Sequence, residues 1–86
     1  MAFGVFQSLK MAMSGKVIHQ IDVPIMSGAT ASLRIKKQKG DKPYVVMACL
    51  ASGNYQYYPM DLETFRLFSS AVLETRDKLE AAFISD

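Results

Sequence analysis

The sequence predicts an α+β chain, a four-stranded antiparallel meander followed by one long C-terminal helix (ββββα), and three observations carry that expectation. Turn signals at Ser27-Gly28, Gly40-Asp41 and Gly53-Asn54 divide residues 16–60 into four stretches with strand patterning. From Asp61 onward the apolar spacing changes to that of a helix, with no Gly or Pro to interrupt it. The chain has 86 residues, half of them apolar, which suits one small folded domain over residues 16–86 and leaves no length for a second core.

Residues 16–25 alternate, with Val17, Ile21, Val23 and Ile25 on one face beside His19, and Ile18, Gln20 and Asp22 on the other. Residues 30–39 alternate again. Ala31, Leu33 and Ile35 point one way, while Ser32, Arg34, Lys36 and Gln38 point the other, so this strand reads as half buried and half basic. Residues 43–52 are nearly all apolar, as expected of a strand covered on both faces, placed centrally in the sheet or against a partner subunit. Residues 55–60 follow with three tyrosines in four positions, and Pro59, lacking an N–H, is expected near the end of its strand or at a sheet edge.

In the last segment Phe65, Phe68, Val72, Leu79 and Phe83 form one apolar stripe. Asp61 is a good N-cap, and Glu63 lies where the helix dipole favours an anion. Glu74 and Lys78 are spaced for an (i, i+4) pair. The stripe is expected to lie on the sheet. One sheet and one helix leave the other sheet face uncovered, and a second copy of the chain is the economical cover, so a homodimer is expected.

The net charge of +2 hides an asymmetry. Residues 1–60 carry seven basic side chains against two acidic, whereas residues 61–86 carry three basic against six acidic. Such separation presents one positive surface to an anionic partner. The segment 1–15 is acid-free and apolar, with its one Lys, Lys10, after the apolar residues, which is the wrong order for a secretory signal; it reads as mature protein. No apolar run approaches the roughly 20 residues of a membrane-spanning helix. The single Cys cannot close an intramolecular disulfide, so the expected setting is reducing and intracellular, either cytoplasmic or nucleoid/nuclear, with no membrane partner.

The inventory for catalysis is thin. His19 and Cys49 are the sole residues of their types and would have to pair to make an activated nucleophile. There is no CxxC, no HExxH, no GxGxxG and no GxxxxGK[ST]. The expected chain is therefore not an enzyme and uses no cofactor or metal. What remains is basic side chains interleaved with aromatics on strands. Arg34 and Lys36, with Lys16 and Gln20 nearby, are expected on one sheet face, followed by Tyr44, Tyr55, Tyr57 and Tyr58 on the next two strands. Cations that track phosphates and rings on which unpaired bases stack are what single-stranded nucleic acid asks for.

The junction Met60-Asp61-Leu62-Glu63-Thr64-Phe65-Arg66-Leu67-Phe68, together with the basic second strand, resembles the positive cofactor four, Pur and whirly group of single-stranded nucleic-acid-binding modules. Its members dimerise by pairing sheet-and-helix units and bind strands across curved sheet surfaces. The resemblance implies Arg34, Lys36, Lys37 and Lys39 as phosphate contacts and Tyr44 and Tyr57 as stacking rings. A rival reading is a protein-interaction or structural homodimerisation domain, whose apolar N-terminal segment (Phe3, Val5, Phe6, Leu9, Met13) docks on a protein partner. The tyrosines discriminate. An exposed shelf beside Arg34 favours nucleic acid, and rings buried in a core or interface favour the rival.

Overall fold

The structure, a computed structural model, describes residues 14–85. The N-terminal segment, with Phe3, Val5, Phe6, Leu9, Lys10 and Met13, lies outside the described residues apart from Ser14 and Gly15, and so does Asp86. Strands β1 (Lys16–Met26), β2 (Ala29–Lys37), β3 (Tyr44–Ala51) and β4 (Asn54–Met60) precede helix α1 (Leu62–Ser85). The strands pair in chain order, each antiparallel to the next, so the expected ββββα meander is the fold. At the β2–β3 turn Gly40 takes φ +83°, and the Asp41 N–H closes the turn on the Gln38 carbonyl at 3.1 Å. Pro59 sits on the edge strand β4, where the missing N–H breaks no interior ladder.

The register sorts side chains onto two faces. On the first, Lys36 lies opposite Tyr44, Arg34 opposite Val46, and Ser32 opposite Ala48, with Pro59 and Tyr57 continuing the last two rows on β4. On the second, Ile35 lies opposite Val45, Leu33 opposite Met47, and Ala31 opposite Cys49. In β1 the alternation expected from the sequence is broken. A register shift between Val17 and His19 puts Val17 opposite Lys36 while His19 and Ile21 stay on the face of Ile35 and Leu33; a second shift falls between Pro24 and Met26.

Burial inverts the expectation for β2. The covered face is the one bearing polar residues: Ser32, Val46 and Ala48 have no exposed surface, and Lys36 and Tyr44 retain 6% each. Leu33 and Ile35, on the apolar face, are half-buried. Strand β3 is interior, as expected, but is buried on one face only, since Val45 and Met47 are half-buried and Cys49 is exposed.

Helix α1 begins as expected. The Asp61 carboxylate accepts the Thr64 N–H at 2.8 Å, and the Asp61 carbonyl accepts the Phe65 N–H at 2.9 Å, which makes Asp61 the N-cap. Its course differs from the expectation. Within the helix only Phe65 and Ser69 are half-buried, and Val72, Leu79 and Phe83 are exposed, so the stripe is not laid on the chain's own sheet. With Asp61 alone linking β4 to α1, the helix passes beside β3 and β4 at its start and then leaves the sheet. The Glu74–Lys78 pair is not formed; Arg76 instead bonds Asp77 at 2.9 Å and lies 3.9 Å from Glu80.

Candidate nucleic-acid interface

Of the six residues singled out by the sequence, four share the first face. Lys36, Arg34 and Ser32 occupy successive rows of β2, spaced about 6.7 Å, with Tyr44 across from Lys36 and Tyr57 two strands away in the row of Ser32. Arg34 is half-buried and donates from Nε to Ser32 Oγ at 3.0 Å. Beside it on β1 lie Gln20 and Asp22. Hydrogen bonds from Ser32 and Gln20 hold the Asp22 carboxyl below its ordinary value, and the Arg34 charge adds to the effect.

Lys36 and Tyr44 are present on this face but covered. The Lys36 ammonium donates to the Ser14 carbonyl at 3.3 Å, and the Tyr44 hydroxyl donates to the same oxygen at 3.3 Å. Desolvation pulls the Lys36 pKa below 10.5, with the Arg34 charge pushing the same way. The rings left open are Tyr55 and Tyr57, on the edge strand β4. The expected shelf is therefore divided: Tyr44 is buried, and two exposed rings share Arg34's face across β3.

The other two residues, Lys37 and Lys39, stand elsewhere. Lys37 is on the opposite face, directly across from Lys16, and Lys39 is in the β2–β3 turn with Lys42. All four of these lysines are exposed, and none has a carboxylate within salt-bridge distance among the described residues. With Lys36 they gather at one end of the sheet. Sequence patterning does not single out Lys42, and it places Lys16 on Arg34's face. Counting outward from the Ser27-Gly28 turn brings the start of β1 to the end of β2, although the bulge decides which lysines meet.

On the second face, His19, Ile21, Leu33, Ile35 and Val45, with Leu62 and Phe65 of α1, line an open apolar groove of about 640 Å³. His19 and Cys49 share this face but lie two rows and two strands apart, roughly 16 Å, so they make no nucleophile–base pair. Among the described residues no group of three His, Cys, Asp or Glu converges to hold a metal, and no helix is long and apolar enough to cross a membrane. Comparisons of the chain with protein-family models, with curated proteins and with solved structures find no match.

Proposed function

We propose that this chain is a small non-enzymatic module that binds single-stranded DNA or RNA, chiefly through phosphate contacts. The observation that carries the reading is the lysine end of the sheet. Like charges directly opposite in an antiparallel pair are destabilising. Setting Lys16 against Lys37 beside Lys39 and Lys42 is explained by a polyanion that bridges them. Arg34, Lys37 and Lys39 are the accessible cations of the expected set, and Tyr57, with Tyr55, offers ring faces on which bases stack. The test is a polarisation titration of the full chain with a labelled oligonucleotide of about 20 bases, single-stranded and then as a duplex. Tighter binding of the single strand, weakened when Arg34, Lys37 and Lys39 are replaced by Ala, is the expected result. Equal, salt-insensitive affinity for the triple variant would refute it.

A second observation favours self-assembly, the structural part of the rival reading. The chain exposes 6859 Å², whereas a compact monomer of 9.6 kDa exposes about 5,100 Å². The surplus, roughly 1,700 Å², exceeds the ~800 Å² that each partner buries in a standard interface. Its apolar part includes Phe68, Val72, Leu79 and Phe83 of α1, and the groove beside Phe65 is lined by the same kind of side chain. The occupant that meets both requirements is a second copy of this chain, its helix stripe covering apolar surface that neither copy covers alone. Sedimentation equilibrium across micromolar concentrations tests this, with a dimer mass expected and a monomer mass throughout contradicting it.

A further inference from the structure

We infer that two copies of this chain join along the outer edge of β1, antiparallel and centred on Ile21, so that the two four-stranded sheets become one continuous sheet. The inference rests on the self-assembly reading above and names the edge at which the second copy is held.

β1 ends the sheet order, and among the described residues no strand pairs with its outer side. All 11 of its residues are exposed, Ile18, Ile21, Val23 and Ile25 among them. A long, apolar, exposed edge is a template for another strand, and proteins usually blunt one with charge, proline or bulges. β1 carries its proline and bulges only toward its ends, with register shifts between Val17 and His19 and between Pro24 and Met26. Between the first shift and Pro24, residues 19–23 keep regular register with β2, and Ile21 is the midpoint of that run.

The main-chain groups of this run that face outward are those of Gln20 and Asp22. Pro24 has no N–H to give β2, so its nitrogen points away from the ladder, and strand alternation turns the N–H and C=O of residues 22 and 20 the same way. Pro59 fixes the same parity from the opposite edge. One row of the sheet runs Pro59, Val46, Arg34, Gln20. Pro59 and Val46 cannot exchange hydrogen bonds, so Val46 bonds Arg34, and Gln20 is left with its groups facing solvent.

A two-fold axis at Ile21 places Gln20 opposite Asp22 of the second copy, and each such pair exchanges both of its main-chain hydrogen bonds. Ile21 meets Ile21 of the second copy, and His19 meets its Val23. The Gln20 amide, which donates to its own Asp22 carboxylate at 3.1 Å, gains a second carboxylate across the axis. An axis at Asp22 would instead oppose two carboxylates, which is destabilising. His19 and Ile21 also line the apolar groove, so the pairing sets the two grooves side by side, where the α1 stripes can cover them.

The experiment uses the full chain with Cys49→Ser, which removes its single thiol. Under mild oxidation Ile21→Cys should form a covalent dimer, because opposed residues that share no hydrogen bond lie about 4.5 Å apart at Cα, within disulfide reach. Val23→Cys alone should not cross-link, but it should do so when mixed with His19→Cys. A second pair of variants tests the register without a disulfide. Gln20→Asp should weaken the dimer roughly tenfold by sedimentation equilibrium, and Gln20→Lys, opposite Asp22 of the second copy, should tighten it by a similar factor. The net charge of +2 acts in the other direction, since an added Lys raises the repulsion between copies and an added Asp lowers it. A chain that sediments as a dimer but gives no Ile21→Cys cross-link, or cross-links equally through Val23→Cys alone, would overturn the edge pairing and leave self-assembly through α1 standing. A monomer mass for the wild type at every concentration would end self-assembly and the pairing with it.

Discussion

Lys16 lies directly opposite Lys37 across β1 and β2, at the end of the sheet where Lys39 and Lys42 occupy the adjoining turn. Two ammonium groups facing each other on a strand pair repel, and the repulsion is largest at low salt. Replacing both by Ala should therefore raise the melting temperature of the free protein at low ionic strength and have little effect at high ionic strength. The same substitution should weaken oligonucleotide binding and lower the slope of log K against log salt by about 0.7 for each phosphate that is no longer neutralised. Thermal melts and titrations over a salt series measure both effects; an unaltered slope would remove these lysines from the interface.

Burial holds the Lys36 pKa below 10.5, so between the lowered folded value and 10.5 the unfolded chain binds more protons than the folded one. Stability contributed at this site is thus absent at neutral pH and gained as pH rises through the folded value toward 10.5. Lys36→Met, which keeps the length and removes the charge, should abolish that gain. Denaturant melts of both proteins at a series of alkaline pH values measure it: the wild type should gain stability relative to the variant as pH rises, and a constant difference would contradict the assignment.

Asp61 caps α1 through the Thr64 N–H, and that backbone hydrogen bond holds its carboxyl below the usual 3.8. The cap's contribution is complete above 3.8 and is lost as pH falls through the lower folded value. Asp61→Ala should lose helix signal at neutral pH, whereas Asp61→Asn should keep the acceptor and lose the acid transition. Circular dichroism at 222 nm, followed during an acid titration, distinguishes the two.

Leu79 and Val72 lie on the exposed stripe of α1 and are not needed by the sheet. Leu79→Glu should leave the sheet folded and halve the mass seen in sedimentation. It should also abolish the dependence of melting temperature on protein concentration that a dimer shows. In a chain that is monomeric, the substitution would change neither quantity.

Val46 has no exposed surface and sits between Arg34 and Pro59 in the row structure of the covered face. Val46→Ala should cost about 2 kcal/mol in denaturant unfolding, and Leu33→Ala, on the half-exposed face, less than a fully buried leucine would. The ordering of the two tests which side of the sheet carries the packing.

Much of the fold is legible in the sequence. The turns at residues 28, 40 and 53, the alternation in β2, the edge position of Pro59 and the Asp61 cap are local signals, each set by a few neighbouring side chains. The candidate site is legible only in part. Arg34, Lys36, Tyr44 and Tyr57 share a face because alternation and antiparallel pairing put them there. That Lys36 and Tyr44 both donate to the Ser14 carbonyl rests on hydrogen bonds between residues 22 and 30 positions apart, to which no local pattern points. Alternation alone puts Lys16 on the wrong side, because the bulge after Val17 reverses the pattern at the start of β1.

By itself, then, the amino-acid order determined the five elements of the described residues, their sequence in the chain and most of the residues that travel together on each side, since these follow from periods of 2.0 and 3.6 and from turn chemistry acting over a few residues. The tertiary path decided which side is covered and how far α1 runs beyond the strands. It also decided that four exposed lysines meet at one end. An alternating pattern says which side chains face the same way, but burial depends on what the rest of the chain lays over them, and that is a property of the whole trajectory.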